Sequence, residues 1–260
     1  MPNAPCYIVS DLHLGAGPPD LERRFLTFLR GLPGVAGSLI INGDLFDFWF
    51  EWRHVIPRRG FRVLAALADL VDAGVPVLWI AGNHDCWGGE VIRKDAGVTY
   101  HVGPWEGRVA GWSTRIEHGD GLRKVEDRRY RALKAVIRHP LAVRAMRFLH
   151  PDVGTWLASG SSEASRRIHP ARDGGDGLRV IALGHLARAA GPELVVFAHS
   201  HVAELHRGPA GKVYANAGSW LDDPTYLRVT TSRVELRRWV SSAESQCVHT
   251  LDRGSEEALP

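Results

Sequence analysis

Several short apolar runs in this sequence end abruptly in residues that commonly bind metal ions. Residues 39–41 lead through Gly43 to Asp44, and an apolar run bounded by a turn signal is typical of a buried strand. Three more runs and one polar break end in the same way: 7–10 leads to Asp11 and His13, 75–81 to Asn83, His84 and Asp85, 194–198 to His199 and His201, and 117–120 contains His118. We predict that these strand ends converge.

The side chains at these ends form a mixed set of nitrogen and oxygen donors. Carboxylates, imidazoles and an amide without a thiolate suit Mn, Fe, Zn or Co and argue against a structural cysteine-bound zinc site. Residues i and i+2 of an extended segment lie on one side, so His199 and His201 can bind one ion together or divide between two. We predict two divalent ions, with Mn favoured, bridged by the two carboxylate oxygens of Asp44.

The composition is that of an ordinary soluble globular protein. The chain has 260 residues, of which 45% are hydrophobic, enough for one large domain with a sizeable core. A formal net charge of +3 is too small to indicate a nucleic-acid partner. Three scattered cysteines are typical of a reducing compartment. We find no signal-peptide pattern and no apolar run long enough to span a bilayer, so we expect a cytoplasmic protein.

The order of the predicted elements indicates an α/β (α+β) fold. A helical pattern at 21–29 lies between the first two strand-like runs, and this connection predicts a parallel pair. A second helical pattern occupies 61–71, and 213–239 alternates like antiparallel strands. The aromatic segment 46–52 is predicted to pack in the core rather than to form a ligand-contacting wall. We predict one domain over 1–240 and a flexible tail over 241–260.

Residues 121–177 interrupt the alternation of strands and helices. Nine Lys or Arg residues lie between 121 and 150, interleaved with apolar side chains, and His139-Pro140 predicts a break between two helices. A helix pair of this kind is at least as consistent with a solvated surface packed on the core as with a binding role. Its basic and apolar character also suits an anionic membrane surface, with which we expect peripheral contact.

The ordered blocks resemble those of the calcineurin-like metallophosphoesterases. They are D-x-H at 11–13, G-D at 43–44, G-N-H-D at 82–85, H-G-D at 118–120 and x-H-x-H at 198–201. The resemblance implies two packed mixed β-sheets flanked by helices, with the metals at the C-terminal ends of strands. It also implies two ligand sets: Asp11, His13, Asp44 and His201 for one ion, and Asp44, Asn83, His118 and His199 for the other. Ala198 stands where the family usually has glycine, which a negative φ would permit.

Within this family the chain most resembles the UDP-2,3-diacylglucosamine pyrophosphohydrolases of lipid A biosynthesis. The matching stretches are 10–14, 43–49, 118–122 and 127–130. The resemblance implies hydrolysis of a nucleotide-linked glycolipid to UMP and 2,3-diacylglucosamine 1-phosphate at the cytoplasmic face of the inner membrane. The insertion 121–177 would then be a helical lid that holds the acyl chains. His84 stands where well-studied members carry arginine.

The neighbours of the metal ligands indicate the chemistry. Two divalent ions lower the pKa of a bridging water that attacks phosphorus, and they hold the phosphate oxygens. His84 is placed to protonate the leaving group, to stabilise the equatorial oxygens or only to position substrate, and Asp85 is a candidate for orienting its ring. The expected substrate contacts are Asn83, His84 and His199, together with Asp127, Ser161 and Ser165 by the resemblance.

Three other functions would use the same metals. A phosphatase or phosphodiesterase acting on another nucleotide or phosphoester would leave the amphipathic insertion without an obvious task. A nuclease is disfavoured because the basic residues lie beside apolar ones instead of lining a groove with stacking aromatics. A metal-binding scaffold without catalysis is disfavoured because it needs no open coordination position and no residue such as His84. The sequence leaves the oligomeric state open.

Overall fold

The computed structural model describes residues 4–157 and 174–254. Its strands are β1 (Cys6–Val9), β2 (Ser38–Asn42), β3 (Val77–Ile80), β4 (Thr99–His101), β5 (Trp105–Val109), β6 (Trp112–Ile116), β7 (Leu194–Phe197), β8 (Glu204–Arg207), β9 (Val213–Asn216), β10 (Thr225–Val229), β11 (Arg233–Trp239) and β12 (Ser245–Asp252). Its α-helices are α1 (Leu21–Arg30), α2 (Phe61–Asp72), α3 (Arg128–Ile137), α4 (Pro140–Phe148) and α5 (Asp176–Leu186). Residues 151–157 are also helical.

The strands form two mixed sheets. The first has seven strands in the order β12-β11-β10-β1-β2-β3-β4, and the second has five in the order β5-β6-β7-β9-β8. Strands β1 to β4 run parallel, whereas β10, β11 and β12 are antiparallel to their neighbours. In the second sheet β6, β7 and β9 are parallel, and β5 and β8 are antiparallel edges. The predicted architecture of two packed mixed sheets is confirmed.

The two faces of the first sheet contribute to different parts of the core. Ile8 and Ile40 belong to the apolar layer between the sheets, where they join residues of β6, β7 and β9. Val9, Leu39 and Ile41 point the other way and pack under α1 and α2. This alternation follows from the two-residue period of a strand, and strands buried on both faces are nearly continuous in apolar residues. The parallel strands are therefore packed on both faces, and this packing holds their C-terminal ends in place.

The predicted helices and the aromatic segment lie largely where the sequence indicates. Both α1 and α2 bury most of their apolar side chains against the first sheet, although Phe61 at the start of α2 is exposed. Gly74 has φ +83° just beyond α2, as expected for the residue that ends a helix. In the aromatic segment Phe46, Trp49 and Phe50 are buried in the interior, which agrees with the core interpretation, whereas the half-buried Phe48 lines a cavity. Asp20 is the N-cap residue of α1, as predicted, but its side chain makes no capping hydrogen bond.

The predicted flexible tail is wrong for residues 245–252. These residues form β12, which pairs antiparallel with β11 from Trp239↔Ser245 to Arg233↔Asp252. Backbone pairing holds the segment, since Leu251 is its one buried side chain. An edge strand that is exposed on both faces has little apolar alternation, so periodicity does not reveal it. Residues 255–260 lie outside the described part of the chain.

The insertion contains the two predicted helices, α3 and α4. His139 is the N-cap of α4 and accepts a hydrogen bond from Leu141 N, and Pro140 is the first residue of that helix. Neither helix contains a buried residue. In the described part of the chain, no helix combines the length and the apolar character that crossing a membrane requires. The division into a 1–240 domain with a 121–177 lid stays a prediction.

Candidate metal centre

The C-terminal ends of the central strands bring the predicted residues together. In the first sheet β1, β2 and β3 are parallel neighbours, so the loops that carry Asp11, Asp44 and Asn83 leave from one edge. In the second sheet β6 and β7 are also parallel neighbours, and their ends carry His118 and His199. Parallel strands end at one side of a sheet, where ligand sites of α/β proteins commonly form. The packing of the two sheets brings these loops into one cluster.

Asp44 lies at the centre of the cluster. Its Oδ2 is 3.2 Å from His118 Nε2 on one side and 3.7 Å from His13 Nε2 on the other. The Nε2 atom of His84 is 4.0 Å from the same oxygen. The second oxygen, Oδ1, accepts a hydrogen bond of 2.9 Å from the backbone N–H of His84. One carboxylate oxygen therefore faces imidazoles from three separate loops.

The remaining predicted ligands lie on either side of Asp44. His13 Nε2 is 3.3 Å from His201 Nε2, which in turn is 3.6 Å from Asp11 Oδ1. On the other side Asn83 Oδ1 is 3.2 Å from His118 Nε2. Three groups have potential ligand atoms within 4.8 Å of one another: Asp11, His13 and His201; His13, Asp44 and His84; and Asp44, His118 and His199. We call the Asp11–His13–His201 side the first half-site and the Asn83–His118–His199 side the second half-site.

The donor set fits divalent metal ions. Asp11 Oδ1 is buried and has no hydrogen-bond partner within the described residues, although it faces two imidazoles. A buried carboxylate oxygen without a partner is costly, and a cation would remove that cost. The cluster combines carboxylate, amide and imidazole donors without a thiolate, which suits Mn, Fe, Zn or Co more than a structural zinc site.

The histidines differ in their protonation. Burial lowers the pKa of His13 well below its usual value, and burial together with His118 lowers the pKa of His199 to about 4. Both rings are therefore neutral at pH 7, which is the form that binds metal. Burial also opposes a charge on His118, but the adjacent carboxylate of Asp44 outweighs it and raises the pKa of His118 to about 10. A metal at His118 must displace a proton.

Five residues of the cluster have a left-handed backbone. The φ angles are +50° at Asp11, +45° at His13, +53° at Asp44, +64° at His199 and +61° at His201. Non-glycine residues rarely adopt this conformation, which costs about 1–3 kcal/mol each. The expectation of extended i, i+2 pairs is therefore wrong, because these residues lie in tight turns just beyond the strands. Ala198 is not among the described residues with positive φ, so its methyl group is accommodated.

Two glycines allow the loops to approach one another. A Cβ atom at Gly43 would lie 2.3 Å from His118 Nδ1, and one at Gly82 would lie 2.1 Å from Asp44 Oδ1. Both distances are far below van der Waals contact. The glycines of the G-D and G-N-H-D blocks therefore permit the close packing that brings Asp44, Asn83 and His118 together.

Outer partners orient the rings. His118 Nδ1 donates to Asn42 O at 2.9 Å, and His84 Nδ1 donates to Asp47 O at 2.8 Å. His201 Nδ1 donates to Asp222 Oδ2 at 2.9 Å. Such partners turn Nε2 toward the centre and make it a better ligand. Asp47 and Asp222 were not predicted as site residues. Asp47 lies within 43–49, one of the stretches that match the family, whereas no local signal marks Asp222.

Asp85 does not orient His84. Its carboxylate accepts hydrogen bonds from Gly82 N at 2.7 Å, Leu45 N at 2.8 Å and Trp79 Nε1 at 3.2 Å. Burial raises the pKa of this carboxyl to about 7, and the nearby Asp44 adds to the effect. The predicted orienting role is wrong because the carbonyl of Asp47 occupies His84 Nδ1. Asp85 instead joins the loops that carry Asp44 and Asn83.

The predicted substrate contacts have different outcomes. Asn83, His84 and His199 belong to the cluster just described. Asp127 is buried, and its carboxylate binds the backbone N–H and the guanidinium of Arg123, so its contacts are those of a structural residue rather than of a substrate ligand. Ser161 and Ser165 lie outside the described residues.

The sequence of this chain is similar to that of a known family of enzymes and to several of its members. The sequence profile of the calcineurin-like phosphoesterases matches residues 4–203. A UDP-2,3-diacylglucosamine hydrolase of Porphyromonas gingivalis is 36% identical over 165 residues, 62% of this chain and 63% of that protein. The protein of the same name from Neisseria meningitidis serogroup B is 31% identical over 86% of this chain and 94% of its own length. Another, from Xanthomonas oryzae pv. oryzae, is 29% identical over 89% and 97%. With the cluster at the matched blocks, the chain belongs to the calcineurin-like phosphoesterase family.

Proposed function

We propose that this protein hydrolyses the pyrophosphate bond of UDP-2,3-diacylglucosamine to UMP and 2,3-diacylglucosamine 1-phosphate in lipid A biosynthesis. The relatives named for this substrate are 29% to 36% identical, and two of them match over nearly their whole length. The observation that carries the reaction type is the place of Asp44 Oδ2, which lies between imidazoles of the two half-sites. A shared carboxylate of this kind suits a pair of divalent ions.

We propose a specific division of the ligands. Asp11, His13, Asp44 and His201 would hold one ion, and Asp44, Asn83, His118 and His199 would hold the other, with Mn as the favoured metal. When bound, the two ions lower the pKa of water and neutralise the phosphate oxygens. The grouping of the ligand atoms supports this division, because Asp11, His13 and His201 lie together on one side of Asp44 and His118 and His199 lie together with it on the other.

We propose that His84 binds a phosphate oxygen of the substrate. Its Nδ1 already donates to Asp47 O, so Nε2 is the atom that faces the centre, 4.0 Å from Asp44 Oδ2. Donation from Nε2 then requires the imidazolium form. The leaving group of this reaction is itself a phosphate, which needs less protonation than an alkoxide. We therefore propose that His84 stabilises the charge on the phosphate rather than protonating the leaving group.

A cavity beside the metal centre supports an acylated substrate. Its volume is about 640 Å³, and it lies between the aromatic segment, residues 55–60 and residues 151–156 of the insertion. Asp47 connects it to the centre, and most of its lining is apolar, including Phe48, Trp52 and Trp156. Pockets with a mostly apolar lining and a few polar groups are typical of sites for small-molecule ligands. We propose that an acyl chain occupies this cavity.

The surface of the insertion supports contact with an anionic membrane. Leu141, Phe148 and Trp156 are large apolar side chains that remain exposed, and Phe148 is 91% exposed. Basic residues lie on the same helices, among them Arg144 and Arg147. Exposed apolar side chains combined with basic ones suit binding to the interface of an anionic bilayer.

The test is to incubate the purified protein with UDP-2,3-diacylglucosamine and Mn²⁺ and to identify the products by mass spectrometry. We expect UMP and the acylated sugar 1-phosphate. With ¹⁸O-labelled water, the label in UMP would show attack at the phosphorus nearer the nucleoside. Hydrolysis of bis(p-nitrophenyl) phosphate without hydrolysis of the glycolipid would agree with the proposed reaction type but would refute the proposed substrate.

A further inference from the structure

One side of α3 is bound to two loops of the metal centre. Tyr130, Lys134 and Arg138 are spaced four residues apart, so they lie along one face of the helix and its C-cap. Tyr130 Oη donates to Asp120 Oδ2 at 2.7 Å, and Lys134 Nζ lies 2.6 Å from the same oxygen. Arg138 donates to Gly82 O at 3.1 Å and to Asp120 Oδ2 at 3.4 Å. We call these contacts the α3 joint.

The α3 joint touches the backbone of the second half-site. Asp120 lies two residues beyond His118, and Gly82 immediately precedes Asn83. These two ligands are themselves 3.2 Å apart, measured from Asn83 Oδ1 to His118 Nε2. Asp120 is buried, so its bonds to two cations and a hydroxyl are little weakened by solvent. A shift of either loop would therefore move an acceptor away from its donors on α3.

Polar contacts, rather than apolar burial, hold the insertion helices in place. Within the described residues, neither α3 nor α4 contains a buried side chain. The indole N–H of Trp87 donates to Ile137 O at 3.3 Å, and that of Trp52 donates to Met146 O at 3.2 Å. These carbonyls belong to the last turns of α3 and α4, and that of Met146 also accepts a hydrogen bond from Leu149 N. The seating of the helices thus depends on a small number of directed bonds.

We propose that metal binding at the second half-site and the seating of α3 and α4 are coupled, with Asp120, Lys134 and Arg138 as positioning residues. The coupling rests on the proposed metal centre. An ion held by Asn83 and His118 fixes both loops, and fixed loops present Asp120 and Gly82 to α3. By linkage, loss of the α3 joint weakens metal binding by the same factor by which metal strengthens the seating of the helices.

The experiment measures hydrogen exchange and metal binding on the full chain. Exchange in peptides covering 128–148 is compared between chelator-treated protein and protein saturated with Mn²⁺. The variants are the double substitution Lys134→Met with Arg138→Met, and the control Arg129→Met, which removes an exposed charge from the same helix. Mn²⁺ bound per chain is measured by equilibrium dialysis at graded free Mn²⁺.

We expect Mn²⁺ to slow exchange in 128–148 in the wild type and in Arg129→Met, and to have no such effect in the double variant. The double variant should bind one of its two ions at least about fivefold less tightly, the lower end of typical coupling. The conservative variant Lys134→Arg keeps the charge and should retain most of the coupling. Its retention, beside the loss in the double variant, separates positioning by the charged groups from a general effect of substitution at this helix.

Two results would overturn the proposal. One is a wild type that binds two Mn²⁺ ions without any change of exchange in 128–148. The other is a double variant that binds both ions with wild-type affinity. A wild type that binds fewer than two ions would instead refute the proposed metal centre, so the two failures are distinguishable. If the double variant does not fold, Lys134→Met alone is measured against Arg129→Met by the same criteria.

Discussion

Asp44 is the side chain that the two half-sites share. Its Oδ2 lies 3.2 Å from His118 Nε2 and 3.7 Å from His13 Nε2, and burial removes the solvent that would weaken these interactions. Oδ1 accepts a hydrogen bond from the backbone N–H of His84, and an amide oxygen at the same place could accept it too. The role of Asp44 at the centre therefore depends on the charge of its carboxylate. A substitution that keeps the shape and removes the charge therefore isolates its role.

Asp44→Asn should reduce hydrolysis of bis(p-nitrophenyl) phosphate and of the glycolipid by more than about 100-fold, the upper end of the losses seen for outer partners of metal ligands. Bound Mn²⁺ per chain should fall below two, with an unchanged circular dichroism spectrum. The matched control is Asp69→Asn on an exposed position of α2, which should keep full activity. Undiminished turnover of Asp44→Asn would exclude the proposal that the carboxylate of Asp44 is shared by two metal ions.

The close approach at Gly82 provides a steric test. A Cβ at this position would lie 2.1 Å from Asp44 Oδ1, so Gly82→Ala should push the two loops apart and abolish activity together with binding of the second ion. The control is Gly184→Ala, which meets no atom within 4 Å in the interior of α5 and should raise the free energy of unfolding by about 0.5–1 kcal/mol. For both variants, metal analysis measures the bound ions and thermal unfolding measures the change in stability. A fully active Gly82→Ala would contradict the described packing.

The proton on His118 predicts how metal binding depends on pH. Its pKa of about 10 lies above neutral pH, so the metal-free protein carries this proton, whereas His13 and His199 are already neutral. Binding of the ion at His118 must release about one proton, and affinity should rise by up to about tenfold per pH unit between pH 7 and 9. Calorimetry of Mn²⁺ binding in buffers of different ionisation enthalpy measures the released proton. Heats that do not depend on the buffer would refute this assignment.

At the scale of elements, β12 is held by its backbone and by one buried side chain. The strand pairs with β11 over its length, and Leu251 is its one side chain that enters the core between the sheets. The other positions lie at the edge of the first sheet, where side chains remain largely solvated. Leu251 and its exposed neighbours are therefore a matched set for measuring what this strand contributes.

Leu251→Ala should lower the free energy of unfolding by about 2 kcal/mol, the lower end for a buried leucine, because an edge strand can relax around the lost volume. The control Val248→Ala removes a side chain that is 49% exposed, and its effect should stay within about 0.5 kcal/mol. Urea unfolding followed by circular dichroism measures both. Equal stability of the two variants would show that β12 is not seated as described.

At the scale of the whole molecule, the exposed apolar and basic side chains of α4 lie outside both apolar layers of the core. The parallel strands, the metal centre and the 640 Å³ cavity form one continuous arrangement from the sheets to the insertion. Trp156, one of the exposed apolar side chains proposed to meet the membrane, also lines the proposed acyl cavity. A lipid substrate would then need to travel only a short distance from the bilayer.

Vesicle binding tests this arrangement. The protein should sediment with phosphatidylglycerol vesicles at low salt and be released at high salt, since the contact combines screened charges with apolar insertion. Replacing Arg147 and Phe148 by Ser should weaken binding several-fold. The control Val180→Ser removes an apolar side chain of α5 that is 68% exposed and should leave binding unchanged. Equal binding by all variants would place the membrane contact elsewhere.

The sequence by itself determined which residue types meet at the strand ends. Asp11, Asp44, Asn83, His118 and His199 each follow an apolar run or polar break, and such signals are local and readable without a structure. The ordered glycine blocks also indicated the family, and the break at His139-Pro140 located the two insertion helices.

Only the tertiary structure decided which partners these residues take. Asp85 bonds to Leu45 across 40 positions, and Asp222 reaches His201 from a loop that carries no local signal, so strand order rather than spacing made these pairs. The left-handed turns at Asp11 and His201 likewise arise because sheet packing over-determines them. Hydrogen bonds between distant segments depend on how sheets pair and pack, and the period of a sequence contains no information about that pairing.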